Sequence, residues 1–297
     1  MISQTITIIN MISLAFALAF GAAICWGLSQ IAGKLALKSV EVPVLNAIRT
    51  SFALALVILY LLSTEDLGYV RAELILVATF TGVIAWFAAP MLFYYLMQRE
   101  AVHRIAPISN TQPLWGVVAA VLLLGEEAKS TIFLSVALVL LGSYFLAPTE
   151  GPNKSRRWNP KLLLALLVGV MWGIAIVLNK YGLSGGMSPA IFLLVGIVSA
   201  SAACNIAMFA HRAKKRVNFN GRGVGFSILS GISGLFVGQI LWQHALKIEE
   251  ASALSPVVGA LVPLAFLFSI LFLGERPTKR AILGMIVVFT GISLATM

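Results

Sequence analysis

The chain has 297 residues, 60% of them apolar and 11% charged, with a mean hydropathy of +0.97 and a formal net charge of +10. A soluble domain carries about 25% charged residues, so this chain has too few polar side chains to cover a soluble surface. The positive balance sits in short loops between apolar runs, where it suits anionic lipid at a cytoplasmic face and requires no nucleic acid.

Ten stretches contain no Asp, Glu, Lys or Arg: 1–33, 50–64, 74–98, 105–125, 130–149, 162–179, 181–211, 223–246, 251–274 and 281–297. Each can supply most of a membrane span of about 20 residues. None alternates apolar with polar residues, which argues against a β-barrel. The first stretch lacks the basic n-region of a signal peptide, and its apolar run is too long for an h-region, so it reads as a span. In chain order, helices are expected at about 13–34, 43–63, 73–97, 104–124, 130–148, 160–181, 188–210, 223–246, 252–273 and 280–296. The fold class is therefore an all-α integral membrane protein with ten transmembrane helices. Cys25 and Cys204 fall inside spans without metal-ligand spacing and read as small apolar residues.

Two stretches align without a gap at an offset of 149. One runs from Pro107 through Pro113 to Gly125-Glu126, the other from Pro256 through Pro263 to Gly274-Glu275. Trp26-Gly27 with Lys34 and Trp172-Gly173 with Lys180 form a second matching pair, with eight residues from Trp to Lys in both. The chain thus reads as a first repeat over 1–149, a basic linker over 150–161 and a second repeat over 162–297. Five spans per half is an odd number, so the second half runs inverted, as in many secondary transporters.

Two five-helix halves, Trp-Gly…Lys on the first helix of each, and Pro…Gly-Glu closing the fourth resemble the drug/metabolite transporter superfamily. More narrowly, they resemble its ten-helix members with two EamA domains. The resemblance implies a central cavity lined by the first four helices of each half, with the fifth helices at the periphery. It also implies a small-molecule substrate: an amino acid or other exported metabolite, or a nucleotide sugar or phosphorylated sugar that is exchanged. Small multidrug members couple to protons through a glutamate eight residues before a lysine on the first helix. Trp26 occupies that position here, so that mechanism does not carry over.

Orientation follows from charge. With both termini outside, seventeen Lys and Arg, Arg49 among them, fall at cytoplasmic ends, against Arg71, Lys129, Lys180 and Lys247 at outer ends. The setting is then a multi-pass protein of the inner or plasma membrane. Monomer and homodimer are both compatible with the sequence.

Every acidic residue lies at a helix end or in a loop, so substrate contacts must come from other groups. Candidates are Trp26, Gln30 and Lys34 on the first helix, Tyr95 on the third, and Asn110 and Gln112 within the run Ser109-Asn110-Thr111-Gln112 on the fourth. Trp172, Asn179 and Lys180 are candidates on the sixth helix, and Gln239, Gln243 and His244 on the eighth. Pro107, Pro113, Pro256 and Pro263 are expected to kink or gate, since proline removes a donor and its ring clashes with the carbonyl four residues earlier. Freed backbone groups at membrane depth need protein or a wet cavity as partner.

Blander readings stand beside these. Lys34 and Lys180 could snorkel, contact a substrate anion or pair with a helix C-terminus. Gln239 and Gln243 could face the cavity or join helices, and His244 could relay protons or bond to a neighbouring helix. Glu126 and Glu275 read as helix terminators. Gly231, Gly234 and Gly238 give the eighth helix small residues for close packing. The region 257–262 is apolar or Gly, so polar contacts are expected mainly from the first half. No cluster suited to catalysis, metal or a cofactor occurs in the spans, which disfavours an enzyme.

Overall fold

The computed structural model describes residues 2–64, 70–99, 108–127, 129–146, 161–214, 220–273 and 278–296, with side chains from residue 11 onward. Among the described residues the protein is built of helices in ten rods, without a strand. The rods are α1 (Ile2–Ala36), α2 (Val42–Thr64), α3 (Ala72–Arg99), α4 (Gln112–Leu124) and α5 (Ser130–Leu146). The second set is α6 (Lys161–Ser184), α7 (Pro189–Arg212), α8 (Gly221–Ile248), α9 (Ala251–Val258 with Leu261–Leu273) and α10 (Lys279–Ala295). Seven of them are long and apolar enough to cross a membrane by themselves, and α4 and α5 are shorter apolar helices. Large apolar side chains face outward, such as Leu62 at 71% and Leu122 at 75% exposure. In a bilayer these meet lipid and need no further partner.

The helix bounds follow the sequence expectation closely except at three places. α1 begins at Ile2, well before residue 13. The fourth helix is not continuous: Ile108 and Ser109 are helical, Asn110 and Thr111 turn, and helix resumes at Gln112. Pro113 therefore stands in a first turn, where no N–H is required. The expected carbonyl clash at residue 109 is avoided by a break. The ninth helix breaks at Gly259 and Ala260, 149 positions on. Pro256 lies inside its first piece and Pro263 in the first turn of its second. Pro107 and Glu275 lie outside the described residues.

A shared feature that the sequence did not announce occurs in α3 and α8. Each widens into a π-helical segment, Gly82–Ala88 and Gly231–Val237, again 149 positions apart. At the end of the first, the Ala89 N–H bonds to Ile84 O, five residues back, and so bypasses Ala85 O. At the end of the second, the Gly238 N–H bonds to Ser233 O and bypasses Gly234 O. The two bypassed carbonyls are taken up by the two tryptophans of the Trp-Gly motifs. Trp172 Nε1–H donates to Ala85 O at 3.1 Å, and Trp26 Nε1–H to Gly234 O at 3.1 Å. The adjoining glycines admit the broken helices. A Cβ on Gly173 would stand 2.3 Å from Trp115 Cβ, and one on Gly27 3.2 Å from Ala265 N. Each motif thus joins one half of the chain to the other.

Replacing either tryptophan by phenylalanine retains a ring but orphans a buried carbonyl, at about 1–3 kcal/mol. Trp26→Phe and Trp172→Phe are expected to lower thermal stability in detergent by similar amounts.

The halves interlock throughout, with α1 against α8 and α9, α6 against α3 and α4, α2 against α7 and α8, and α5 against α10. The last contact is backbone-close. A Cβ on Gly142 would lie 2.6 Å from Gly284 O, and one on Gly291 2.8 Å from Ser135 O. A shift of 149 converts one of these contacts into the other, so the pairing of the halves repeats the symmetry of the sequence. Small residues of this kind let helices associate where lipid offers no hydrophobic drive.

Candidate functional site

Between the halves lies a cavity of about 100 Å³, bounded by α1, α2, α3, α4, α6, α8 and α9. Both helix breaks reach it, through Gln112 on one side and Val258 and Leu261 on the other. Both π segments reach it as well, through Ala85 and Trp86 and through Gly234 and Leu235. Pockets for drug-sized molecules run to about 300–1,000 Å³, so in this conformation the cavity suits a small solute.

Six aromatic residues line the cavity: Trp26, Trp86, Phe93, Tyr94, Trp172 and Trp242. Trp26 and Trp242 lie 5.6 Å apart by ring centroid, and Phe93 and Trp172 5.3 Å, so each Trp-Gly tryptophan meets a ring from the other half. The polar lining consists of Ser29, Gln30, Arg49, Gln112, Asn179 and Gln239. Gln30 Nε2–H donates to Asn110 Oδ1 at 3.5 Å. Ser29 Oγ donates to Ser230 O at 2.8 Å. No described lining residue carries a carboxylate.

Of the expected substrate residues, the structure brings Trp26, Gln30, Gln112, Trp172, Asn179 and Gln239 together at the cavity. Asn110 stands beside it as partner of Gln30. Gln243 is fully buried and joins helices, donating from Nε2 to Asn179 Oδ1 at 2.6 Å. His244 is half-buried off the cavity, with Nδ1 donating to Ile240 O at 2.8 Å, a bond within its own helix and not to a neighbouring one.

Tyr95 is a correction. It is 39% exposed beneath the Arg99 guanidinium, 4.4 Å from its ring centroid, while its neighbour Tyr94 faces the cavity. The π segment adds a residue to the turn, so the helix face after it rotates relative to a regular count. Arg49 is 6% exposed and lines the cavity. The polar lining is also less one-sided than expected, since the second half supplies Asn179 and Gln239.

Lys34 and Lys180 do not line the cavity. Lys180 Nζ donates to Leu246 O and Glu249 O, both at 2.8 Å, and so closes the C-terminus of α8 with a cation where the helix dipole favours one. Close by, Gly125 adopts a left-handed φ of 70° and ends α4. That turn aims Glu126 at the start of α9, where its carboxylate accepts from Ala251 N at 3.1 Å and Ser252 N at 2.7 Å. Glu126 is therefore more than a terminator, because it clasps the N-terminus of a helix in the opposite half.

Glu250 joins this end. Its carboxyl is pushed above the usual range, first by burial, then by the carboxylates of Glu126 and Glu249, against the pull of Lys180 and with a further push from Glu127. A carboxyl raised in the folded state holds its proton where the unfolded chain has lost it. Its contribution is full below the ordinary carboxylate value and is lost as pH rises through the raised one. Glu250→Gln is expected to flatten the pH dependence of melting in that window.

The arrangement of apolar spans, paired helix breaks and an internal cavity defines a multi-pass membrane transporter. The EamA-like transporter family matches residues 13–147 and 159–297, once for each half, and the chain belongs to that family. An Archaeoglobus fulgidus protein described as an uncharacterized transporter is 23% identical over 274 residues, covering 92% of this chain and 94% of that one. An uncharacterized Pseudomonas aeruginosa protein is 29% identical over 215 residues, covering 70% and 72%. A solved crystal structure superposes with a TM-score of 0.80 at 16% identity, covering 95% of this chain and 98% of that one, and shares the fold.

Proposed function

We propose that the protein is a secondary transporter that exports a small metabolite, an amino acid or related compound, by alternating access. The two five-helix repeats, 1–149 and 162–297 with the linker between, would run inverted and rock about the cavity. The observation that carries this reading is the position of the cavity, between two helix breaks and two π segments that correspond at an offset of 149. Discontinuous helices at a repeat interface are where such transporters bind their cargo. Amides, aromatic rings and a single cation make a lining suited to a small polar solute.

Uptake of labelled amino acids into proteoliposomes tests the reading, and flux above protein-free vesicles is expected. A membrane scaffold or receptor would give none for any small metabolite. A second reading, exchange of phosphorylated sugars or nucleotide sugars, is favoured by Arg49 in the lining, but the other cations it would use, Lys34 and Lys180, lie off the cavity. Transport that survives Lys34→Ala and Lys180→Ala removes it.

The charge bias further supports an inner or plasma membrane setting with both termini outside. A reporter fused to Met297 that is active only in the cytoplasm would contradict that orientation.

A further inference from the structure

Arg49 stands on α2 seven residues beyond Val42, so at about 1.5 Å per residue it lies roughly 10 Å inside the helix end. One guanidinium N–H, on Nη1, reaches Asn46 Oδ1 at 3.2 Å, and the Tyr94 ring lies 5.5 Å from Cζ. Its Nε is buried and has no hydrogen-bond partner. No ion pair holds it among the described residues. A guanidinium carries five N–H donors and keeps its charge under all physiological conditions. A buried, unpaired cation is costly unless a partner neutralises it. Packing alone explains the fit of the side chain against Tyr94, but an apolar residue would pack there without leaving Nε unpaired.

The guanidinium lies beside a close helix contact. A Cβ on Gly234 would sit 2.3 Å from Ser29 Oγ and 3.8 Å from Arg49 Nη2, so glycine is what lets Ser29 pack there next to Arg49. Elsewhere in the cavity the polar groups are neutral, and one of them, Gln239 Oε1, is a buried acceptor without a partner. The cavity therefore contains a cationic donor that needs an anion and a neutral acceptor that needs an N–H or O–H.

We propose that Arg49 binds the carboxylate of the transported solute, so that the substrate class is a small monocarboxylate that also carries an N–H or O–H donor. The proposal rests on the reading of the cavity as the transport site. A carboxylate matches the planar guanidinium fork with two parallel hydrogen bonds. A phosphate monoester, with a charge of about −1.5 to −2, would need a second cation, and the described lining has none.

The test uses purified full-length protein and its own fluorescence, since Trp26, Trp86, Trp172 and Trp242 all line the cavity. The probes are amino acids, their matched carboxamides, and glucose 6-phosphate. Amino acids are expected to change the emission saturably and to bind about tenfold or more tightly than their carboxamides. Arg49→Gln is expected to weaken amino-acid binding by about 10- to 100-fold and to erase the acid–carboxamide difference. Arg49→Lys should keep part of it. The comparison of acid with carboxamide on the unaltered protein stands even if the variants fail to fold. Equal binding of acids and carboxamides, no binding of any acid, or tighter binding of glucose 6-phosphate overturns the carboxylate site. Flux of a neutral compound in proteoliposomes alongside such a result would leave the transport reading intact, whereas absence of flux for every probe would overturn that reading.

Discussion

Glu126→Ala is expected to open the end of the protein where α4 meets α9. The carboxylate accepts two backbone N–H groups from the first residues of α9, and no other described side chain caps them. Charge-assisted hydrogen bonds are worth about 1.5–3 kcal/mol each when buried. Because Glu126 is part-buried, about 2 kcal/mol for the pair is a fair discount. A loss of that size moves a two-state equilibrium about 30-fold. Thiol labelling of a cysteine placed at Ala175 in the cavity wall, with Cys25 and Cys204 replaced, should then accelerate from the Lys180 end and slow from the other. Glu126→Gln retains one acceptor and should fall between. Unchanged labelling from both ends in Glu126→Ala would mean that the clasp does not hold the closed state.

The largest loss of stability is expected at Gly82. A Cβ there would stand 2.0 Å from Gly196 O and 2.3 Å from Ser199 Oγ, and the first of these is backbone that cannot move without displacing α7. Overpacking of this kind costs about 3 kcal/mol or more when backbone must shift. Gly231→Ala is the symmetric change, since its Cβ would meet Arg49 O at 2.4 Å. Gly225 on the same helix as Gly231 has nothing within 4 Å of a built Cβ. Gly225→Ala should be neutral or slightly stabilising, because alanine favours helix by about 1 kcal/mol. Heating followed by size-exclusion chromatography separates these outcomes. Equal survival of Gly82→Ala and Gly225→Ala would contradict the close crossing of α3 and α7.

Much of the fold was legible because the duplication was written in residues that do structural work. Trp-Gly places a donor for a bypassed carbonyl beside a gap for a neighbouring helix. Lysine eight positions later closes a helix end, as Lys180 shows. Gly-Glu turns the chain and clasps the other half, as Gly125 and Glu126 show. The spacing of these residues was visible, but their partners, more than 60 positions away, were not.

The π segments were invisible, because helical widening depends on which neighbours press on Gly82 and Gly231 rather than on any local signature. Their effect on phase explains why Tyr94 faces the cavity although Tyr95 was the sequence candidate. Arg49 carried a signal of its own. It falls six residues beyond the start of the helix expected at 43–63, and a charge at that depth is costly wherever it does not meet a partner.

The central claim is that solute passes through the cavity as the two ends open in turn. The most direct measurement joins Glu126→Cys to Ser252→Cys with a short, reducible thiol cross-linker, in protein lacking Cys25 and Cys204, and follows uptake of labelled amino acids into proteoliposomes. Flux should fall to background when the end is tied shut and return on reduction. Full flux through the cross-linked protein would contradict alternating access at this site.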